Sequence, residues 1–280
     1  MRTKIGLRLA FGALLAGGLW TAWTQQPAPP LELQPVAGDL HVLVGSGGNV
    51  GVLVTDEGVL LVDDKFDRNV PEILAKVKTL TDKPVLYVLN THHHGDHSGG
   101  NASLQAQNVE VIAHENAREN IVRNKQPGAP HVSFEEQVTL HLGGKEVRAM
   151  HFGASHTNGD SVIYFPDLGV IHTGDMFVRG APFVDYANGG SALEWDDTLN
   201  AVLQLEFDTV IPGHGPVGTR DDLIQWKEDF ETYRNRISEL SRAGKKPEDA
   251  EAALDVHDLK GWSVGGLQMR SMPGLFQELR

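Results

Sequence analysis

The stretch VLNTHHHGDHSGGN, from Val88 to Asn101, places four histidines and an aspartate within six residues. Each imidazole carries two nitrogens that need partners, so packing alone gives no reason to gather four of them. Neutral imidazoles clustered with a carboxylate answer instead to a metal ion. A metal site in turn demands a scaffold that brings further ligands in from distant parts of the chain. The apolar run KPVLYVLN (83–90) just before the cluster reads as a strand buried in a sheet. The histidines therefore occupy a loop leaving a strand.

Within that loop, His92 and His94 are two residues apart and face the same way in extended chain, while His93 faces elsewhere. Gly95 lets the chain turn and present Asp96 and His97 to a second position. Zinc takes nitrogen and carboxylate oxygen at about 2.0–2.2 Å and prefers four ligands, so each ion still lacks partners. Later segments offer them: GASHTNGD carries His156, HTGD carries Asp175 and IPGHGP carries His214. These residues lie at strand exits among glycines, as ligands that need close backbone approach do.

The chain between these motifs alternates. HVLVGS, VGVLVT and VLLVDD (41–46, 50–55 and 59–64) read as consecutive strands joined by glycine turns. NVPEILAKVKTL (69–80) has apolar residues at helical spacing, and VEVIAHENARENIV reads as strand then helix. VTLHLGGKEVRAMHF predicts a hairpin, DSVIYFPDLGVIHTGD two strands around a PDLG turn, and FDTVIPGHG a last strand. A long amphipathic helix is expected over 221–242, then a helical remainder with little chemistry. DYANGGS (185–191) is consistent with pocket wall or plain turn. Strands mixed with helices and no long linker predict one α/β domain, with helix layers outside sheet layers, over residues 40–280.

The N-terminus bounds location. Arg2, Lys4 and Arg8 precede an apolar run from Leu9 to Trp23, followed by polar, proline-rich sequence. Residues 1–24 have the layout of a secretory signal peptide, or of an uncleaved membrane anchor, and 25–39 read as a linker. A periplasmic or secreted protein is expected, and the absence of cysteine suits an oxidising compartment. It also removes thiolate from the candidate nucleophiles and ligands. Net charge is −13, which argues against nucleic acid as a partner and leaves a small-molecule substrate. Any membrane contact would come through the N-terminal segment alone. The sequence does not specify an oligomeric state.

HHHGDH fits the HxHxDH motif of the metallo-β-lactamase superfamily, and His156, Asp175 and His214 match its later motifs in order. VLLVDD, with Asp63, resembles its short first acidic motif. The resemblance runs from about residue 40 to 220. It implies the four-layer αβ/βα sandwich, with two zinc ions at the edge between the sheets. Iron and manganese also suit imidazole and carboxylate. By the same resemblance, His92, His94 and His156 hold the first metal; Asp96, His97 and His214 hold the second; and Asp175 bridges both. Asp63 orients a ligand histidine, and Asp96 also steers a proton as the catalytic carboxylate.

The implied reaction is attack of metal-bound hydroxide on the carbonyl of a cyclic amide, ester or thioester. Branch identity is mixed. Asp175 stands where one β-lactamase subclass has cysteine and another serine, which points toward glyoxalase II-like and lactonase-like enzymes. Val178 stands where acyl-homoserine lactonases carry tyrosine. A persulfide dioxygenase-like oxidoreductase and an inactive metal-binding protein are the rival readings.

Overall fold

The structure is a computed structural model describing residues 30–280; the segment read as signal peptide or anchor (1–24) lies outside the described residues. Thirteen strands form two sheets among these residues. The first contains β1 (Glu32–Ala37), β2 (Leu40–Val44), β3 (Val50–Val54), β4 (Val59–Val62), β5 (Val85–Leu89), β6 (Glu110–His114) and β7 (Val132–Phe134), paired in chain order. The glycine turns make β1 to β4 an antiparallel meander, whereas β4 to β7 are parallel, with helices on the crossovers. The second sheet contains β8 (Gln137–Leu142), β9 (Lys145–Met150), β10 (Val162–Phe165), β11 (Val170–His172), β12 (Thr209–Ile211) and β13 (Gly218–Thr219). It is antiparallel except where β12 joins β11.

Period-two alternation builds the layers. In β4, Leu60 and Val62 face the second sheet and pack against Ile163, Phe165, Val170 and Ile211. Val59 and Leu61 face outward, onto a core shared with Val70, Ile73 and Val77 of helix α1 (Val70–Lys78). Two short helices, α2 (Gly95–Ser98) and α3 (Asn101–Gln105), follow the histidine loop; α4 (Glu115–Arg123) follows β6. Outside the second sheet lie α5 (Glu194–Val202), α6 (Arg220–Arg242), α7 (Ala250–Ala253) and α8 (Met272–Glu278). Trp195, Trp226 and Phe230 form the aromatic centre of that layer. The order helix, sheet, sheet, helix is the expected four-layer αβ/βα sandwich.

Two boundaries differ from the sequence reading. The stretch assigned to a linker over 25–39 contains β1, because Glu32 to Ala37 finds a partner edge in β2. Pro35 sits on that edge strand, where its missing N–H costs no ladder bond. FDTVIPGHG does not hold the last strand, since β13 pairs antiparallel with β12. No helix among the described residues is long and apolar enough to cross a membrane.

Candidate metal centre

The chain ends of β4, β5, β11 and β12 open onto one rim of the sandwich. Asn49 ties the two sheets together there. Its backbone N–H donates to the Gly213 carbonyl at 2.7 Å, and its side-chain amide donates to Pro212 and Gly215.

Asp63 follows β4 in left-handed backbone, φ +63°, a conformation that aspartate tolerates better than most residues. Fully buried, its carboxylate accepts from the Thr91 N–H, the Thr91 hydroxyl and His97 Nδ1, each at 2.7 Å. The Thr91 hydroxyl hydrogen is thereby committed, so its oxygen accepts from His92 Nδ1 at 3.1 Å. One carboxylate thus fixes two rings, His97 directly and His92 through Thr91. In both rings Nε2 is then the nitrogen available to a metal.

Two more rings are fixed in the same way. His156 Nδ1 donates to the Phe183 carbonyl at 2.6 Å, and His94 Nε2 donates to Asp185 at 2.8 Å. The turn carrying His156 is held by Asp160, which accepts from Ser155, the Thr157 N–H and the Thr157 hydroxyl. His151 donates to the Asp160 carbonyl and stacks on His114 at 3.8 Å. His172 is a buried structural residue beside the Asn49 carbonyl.

These constraints bring the candidate ligands into two groups. His92, His94, His156 and Asp175 each offer one atom within 4.8 Å of the others, and Asp96, His97 and His214 do likewise. Asp175 stands between them: Oδ1 is 3.2 Å from His97 Nε2 and 3.3 Å from His214 Nε2, while Oδ2 is 3.6 Å from His156 Nε2. It reaches that place because Gly213 packs against it; a Cβ on Gly213 would lie 2.0 Å from Asp175 Oδ1.

Proton bookkeeping shows that the donor set fits metal ions. His94 Nδ1 and His156 Nε2 face each other at 2.8 Å, and both protons are already given to Asp185 and Phe183. Two lone pairs at that distance repel unless a cation lies between them. The buried His92 Nε2 has no hydrogen-bond partner. In the second group, His97 and His214 Nε2 are 3.3 Å apart and Asp96 is 3.3 Å from His214. Ligands about 2.0–2.1 Å from a tetrahedral ion stand about 3.3 Å from one another.

The electrostatics of the two groups differ. Burial, with neighbouring imidazoles, pushes His92 well below the usual histidine range, and burial lowers His156. Burial also opposes charge on His97 and His214, but carboxylates outweigh it. Asp175 and Asp63 raise His97, and Asp175 and Asp96 raise His214 to about 9. Against the cost of burial, His97 and His214 hold Asp175 well below its ordinary range, and His214 with His97 brings Asp96 to about 2. Burial thus favours the neutral form of His92 and His156, whereas in the second group imidazoles and carboxylates favour one another's charged forms.

Several participants were not legible as such. His93, Asp185 and His94 also approach one another, with His93 Nε2 3.9 Å from Asp185. His93 is buried beside His94 rather than turned away from it, and both its ring nitrogens lack partners. The DYANGGS segment is pocket wall, since Asp185, Ala187 and Asn188 line a cleft of about 840 Å³ above the two groups. The C-terminal remainder, from which little chemistry was expected, supplies Leu267, Gln268 and Arg270 to the same cleft.

A family model described as the metallo-beta-lactamase superfamily matches residues 43–214, more than half of the chain. This chain belongs to the metallo-beta-lactamase superfamily. It is 28% identical over 179 residues to the metallo-beta-lactamase type 2 of Bacillus cereus, covering 62% of this chain and 69% of that protein. A probable hydroxyacylglutathione hydrolase of Schizosaccharomyces pombe is 33% identical over 181 residues, covering 61% of this chain and 65% of that protein. The crystal structure of DIM-1 metallo-beta-lactamase superposes with a TM-score of 0.66 at 20% identity, over 73% of this chain and 99% of that one. The superfamily homologues are metallo-hydrolases that bind zinc, and at that level this chain is a hydrolase with a metal-compatible site.

Proposed function

We propose that this protein is an exported dinuclear-zinc hydrolase of small carbonyl compounds: β-lactams, lactones or thioesters. His92, His94 and His156 would hold one ion and Asp96, His97 and His214 the other, with Asp175 between the two groups. The observation that carries this reading is the pair of imidazole and carboxylate donor sets, four of whose five rings are held from behind by hydrogen bonds, with one carboxylate oxygen of Asp175 toward each. Bound there, the ions supply Lewis acidity to a carbonyl and bring the pKa of water toward neutrality.

The chain's own residues do the rest. Asp63 and Asp185 keep the ring nitrogens of His97 and His94 oriented through turnover. Asp96, only partly buried and on the cleft floor, takes the proton of the attacking water. As the carbonyl carbon's bond to nitrogen, oxygen or sulfur breaks, the same carboxylate returns that proton to the leaving atom. Phe66 and Phe183, on the cleft wall, limit water around the reacting carbonyl. Bridging by Asp175, in place of cysteine or serine, favours lactones and thioesters over β-lactams. The charge pattern of Arg2, Lys4 and Arg8 before the apolar run Leu9–Trp23 supports export.

The test is a panel of a chromogenic β-lactam, a γ-lactone and an acyl thioester offered to zinc-loaded protein, then repeated after chelation and after zinc is returned. Hydrolysis of at least one, lost with the metal and regained with it, is the expected result. No turnover of any with two ions bound would overturn the proposal.

A further inference from the structure

We propose that Lys65 is a positioning residue of the second metal group: it holds the Gly47–Gly48 turn against Asp96 and His97, and so sets that group's affinity for its ion. The proposal rests on the metal-site reading above. Lys65 follows Asp63 and Asp64 in VLLVDDKF and is the one buried lysine or arginine among the described residues. Nothing in the proposed hydrolysis uses it. A lysine ammonium is strongly hydrated and is seldom fully buried unless something engages it. Its backbone is also unusual: φ is +58°, a left-handed conformation that lysine rarely adopts. A residue held in that state is over-determined by its surroundings.

Those surroundings are the histidine loop and the glycine turn. The Asp64 N–H donates to the His97 carbonyl at 2.7 Å, and the Lys65 carbonyl accepts from the Gly99 N–H at 2.8 Å. The Asp64 carboxylate accepts from the Gly100 N–H, also at 2.8 Å. These bonds fasten the backbone of 64–65 to the segment around α2, which carries Asp96 and His97. The side chain reaches the turn between β2 and β3, where Nζ donates to the Gly48 carbonyl, its one hydrogen-bond partner among the described residues. Burial works against the ammonium charge, and Asp96, Asp63 and Glu72 compensate it.

The turn so held meets every part of the second group. The Gly48 N–H donates to the Asp96 carbonyl at 3.1 Å. Gly48 lies against the His97 ring so closely that a Cβ there would stand 2.2 Å from Cε1 and 2.4 Å from Nε2. Asn49, next in the chain, donates to the carbonyls of Pro212, Gly213 and Gly215 on either side of His214. Lys65 therefore acts on the group through a single carbonyl. Without its ammonium, Gly48 can lift from the ring and loosen its bond to Asp96. His92, His94 and His156 are held from elsewhere, by Thr91, Asp185 and the Phe183 carbonyl. The loss should fall on one ion alone.

The test is zinc titration against a chromophoric chelator with wild type, Lys65→Met and Val77→Ala. Methionine keeps the apolar stem and removes the donor. Val77→Ala opens a cavity in the core beneath α1 and lowers Tm without reaching the turn, so it shows what lost stability alone does. In Lys65→Met the second site should lose about tenfold in affinity while the first stays near wild type. Val77→Ala should change neither. A His156→Ala background, which leaves the residues of the second group in place, assigns the loss to that group. Two unaltered affinities in Lys65→Met, or equal losses at both sites, would overturn the proposal. Should Lys65→Met fail to fold, wild type decides. Its Gly48 N–H should resist hydrogen exchange in zinc-free protein, because the lysine holds the turn before any ion arrives, and free exchange there would overturn the proposal. A wild type that binds fewer than two ions while Gly48 stays protected would instead overturn the metal-site reading beneath it.

Discussion

Asp63→Asn isolates one link between the fold and the metal centre. Asparagine tolerates the left-handed backbone at this position and matches aspartate in volume, so the main chain has no reason to move. The chemistry changes at one atom. Oδ2 of Asp63 accepts from both the Thr91 hydroxyl and His97 Nδ1 at 2.7 Å, and an amide nitrogen there can only donate. The Thr91 hydroxyl can rotate, but the His97 ring must either leave a buried N–H unsatisfied or shift its proton to Nε2. An unsatisfied donor costs about 1–3 kcal/mol. The shifted proton blocks the nitrogen that faces His214 and Asp175 at 3.3 and 3.2 Å. Loss of such an orienting partner weakens a metal site by about 10- to 100-fold. Because His97 lies in the second group and His92 is reached only through Thr91, the loss should fall mainly on one ion. Zinc titration in competition with a chromophoric chelator should therefore show one site near wild-type affinity and one about 100-fold weaker. Two sites of unaltered affinity would refute the chain of hydrogen bonds from Asp63 to the metal.

Three further outcomes are expected. Gly213→Ala should displace Asp175, since the added Cβ would also meet Gly174 backbone at 2.6 Å; a misplacement of about 1 Å can cost about 100-fold in hydrolysis, and a wild-type rate would show that the contact yields. Asp222→Ala removes the capping box at the start of α6 and the Arg179 pair, for about 1 kcal/mol and a Tm lower by about 2–4 °C in calorimetry. Asp222 is held at about 2 by Arg179 and the Thr219 N–H, below the unfolded value of about 3.9. Its contribution is therefore full above that unfolded value and fades as pH falls through about 2, so the Tm gap between variant and wild type should close in acid and persist at neutrality. Glu278→Gln should loosen the loop it fastens at Tyr186, Ser191 and Ala192, raising KM more than it lowers kcat. Hydrogen exchange should rise across 181–192, and unchanged exchange there would contradict the fastening.

Much of this was readable from residue order because the pattern and the chemistry coincide. Strand-terminal loops carry His92 to His97, Asp175 and His214, and a period-two apolar code sets the strands that point them inward. Asp63 was legible as an orienting group, but its reach to His92 was not, because that bond passes through a threonine with no metal signature. Asp185 and Phe183 were missed for a related reason. One is a lone aspartate in a glycine-rich loop, and the other acts through a backbone carbonyl that any residue could supply. The C-terminal wall was hidden because its position depends on long-range bonds such as Ser271 to Val184 and Glu278 to Ala192. Local periodicity carries no trace of those.

The most direct measurement is anomalous diffraction above the zinc edge from crystals of zinc-loaded protein. Two peaks of comparable height are expected, one among His92, His94 and His156 and the other among Asp96, His97 and His214, with Asp175 between them. A single peak, or two that do not involve these residues, would contradict the dinuclear site on which the proposed hydrolysis rests.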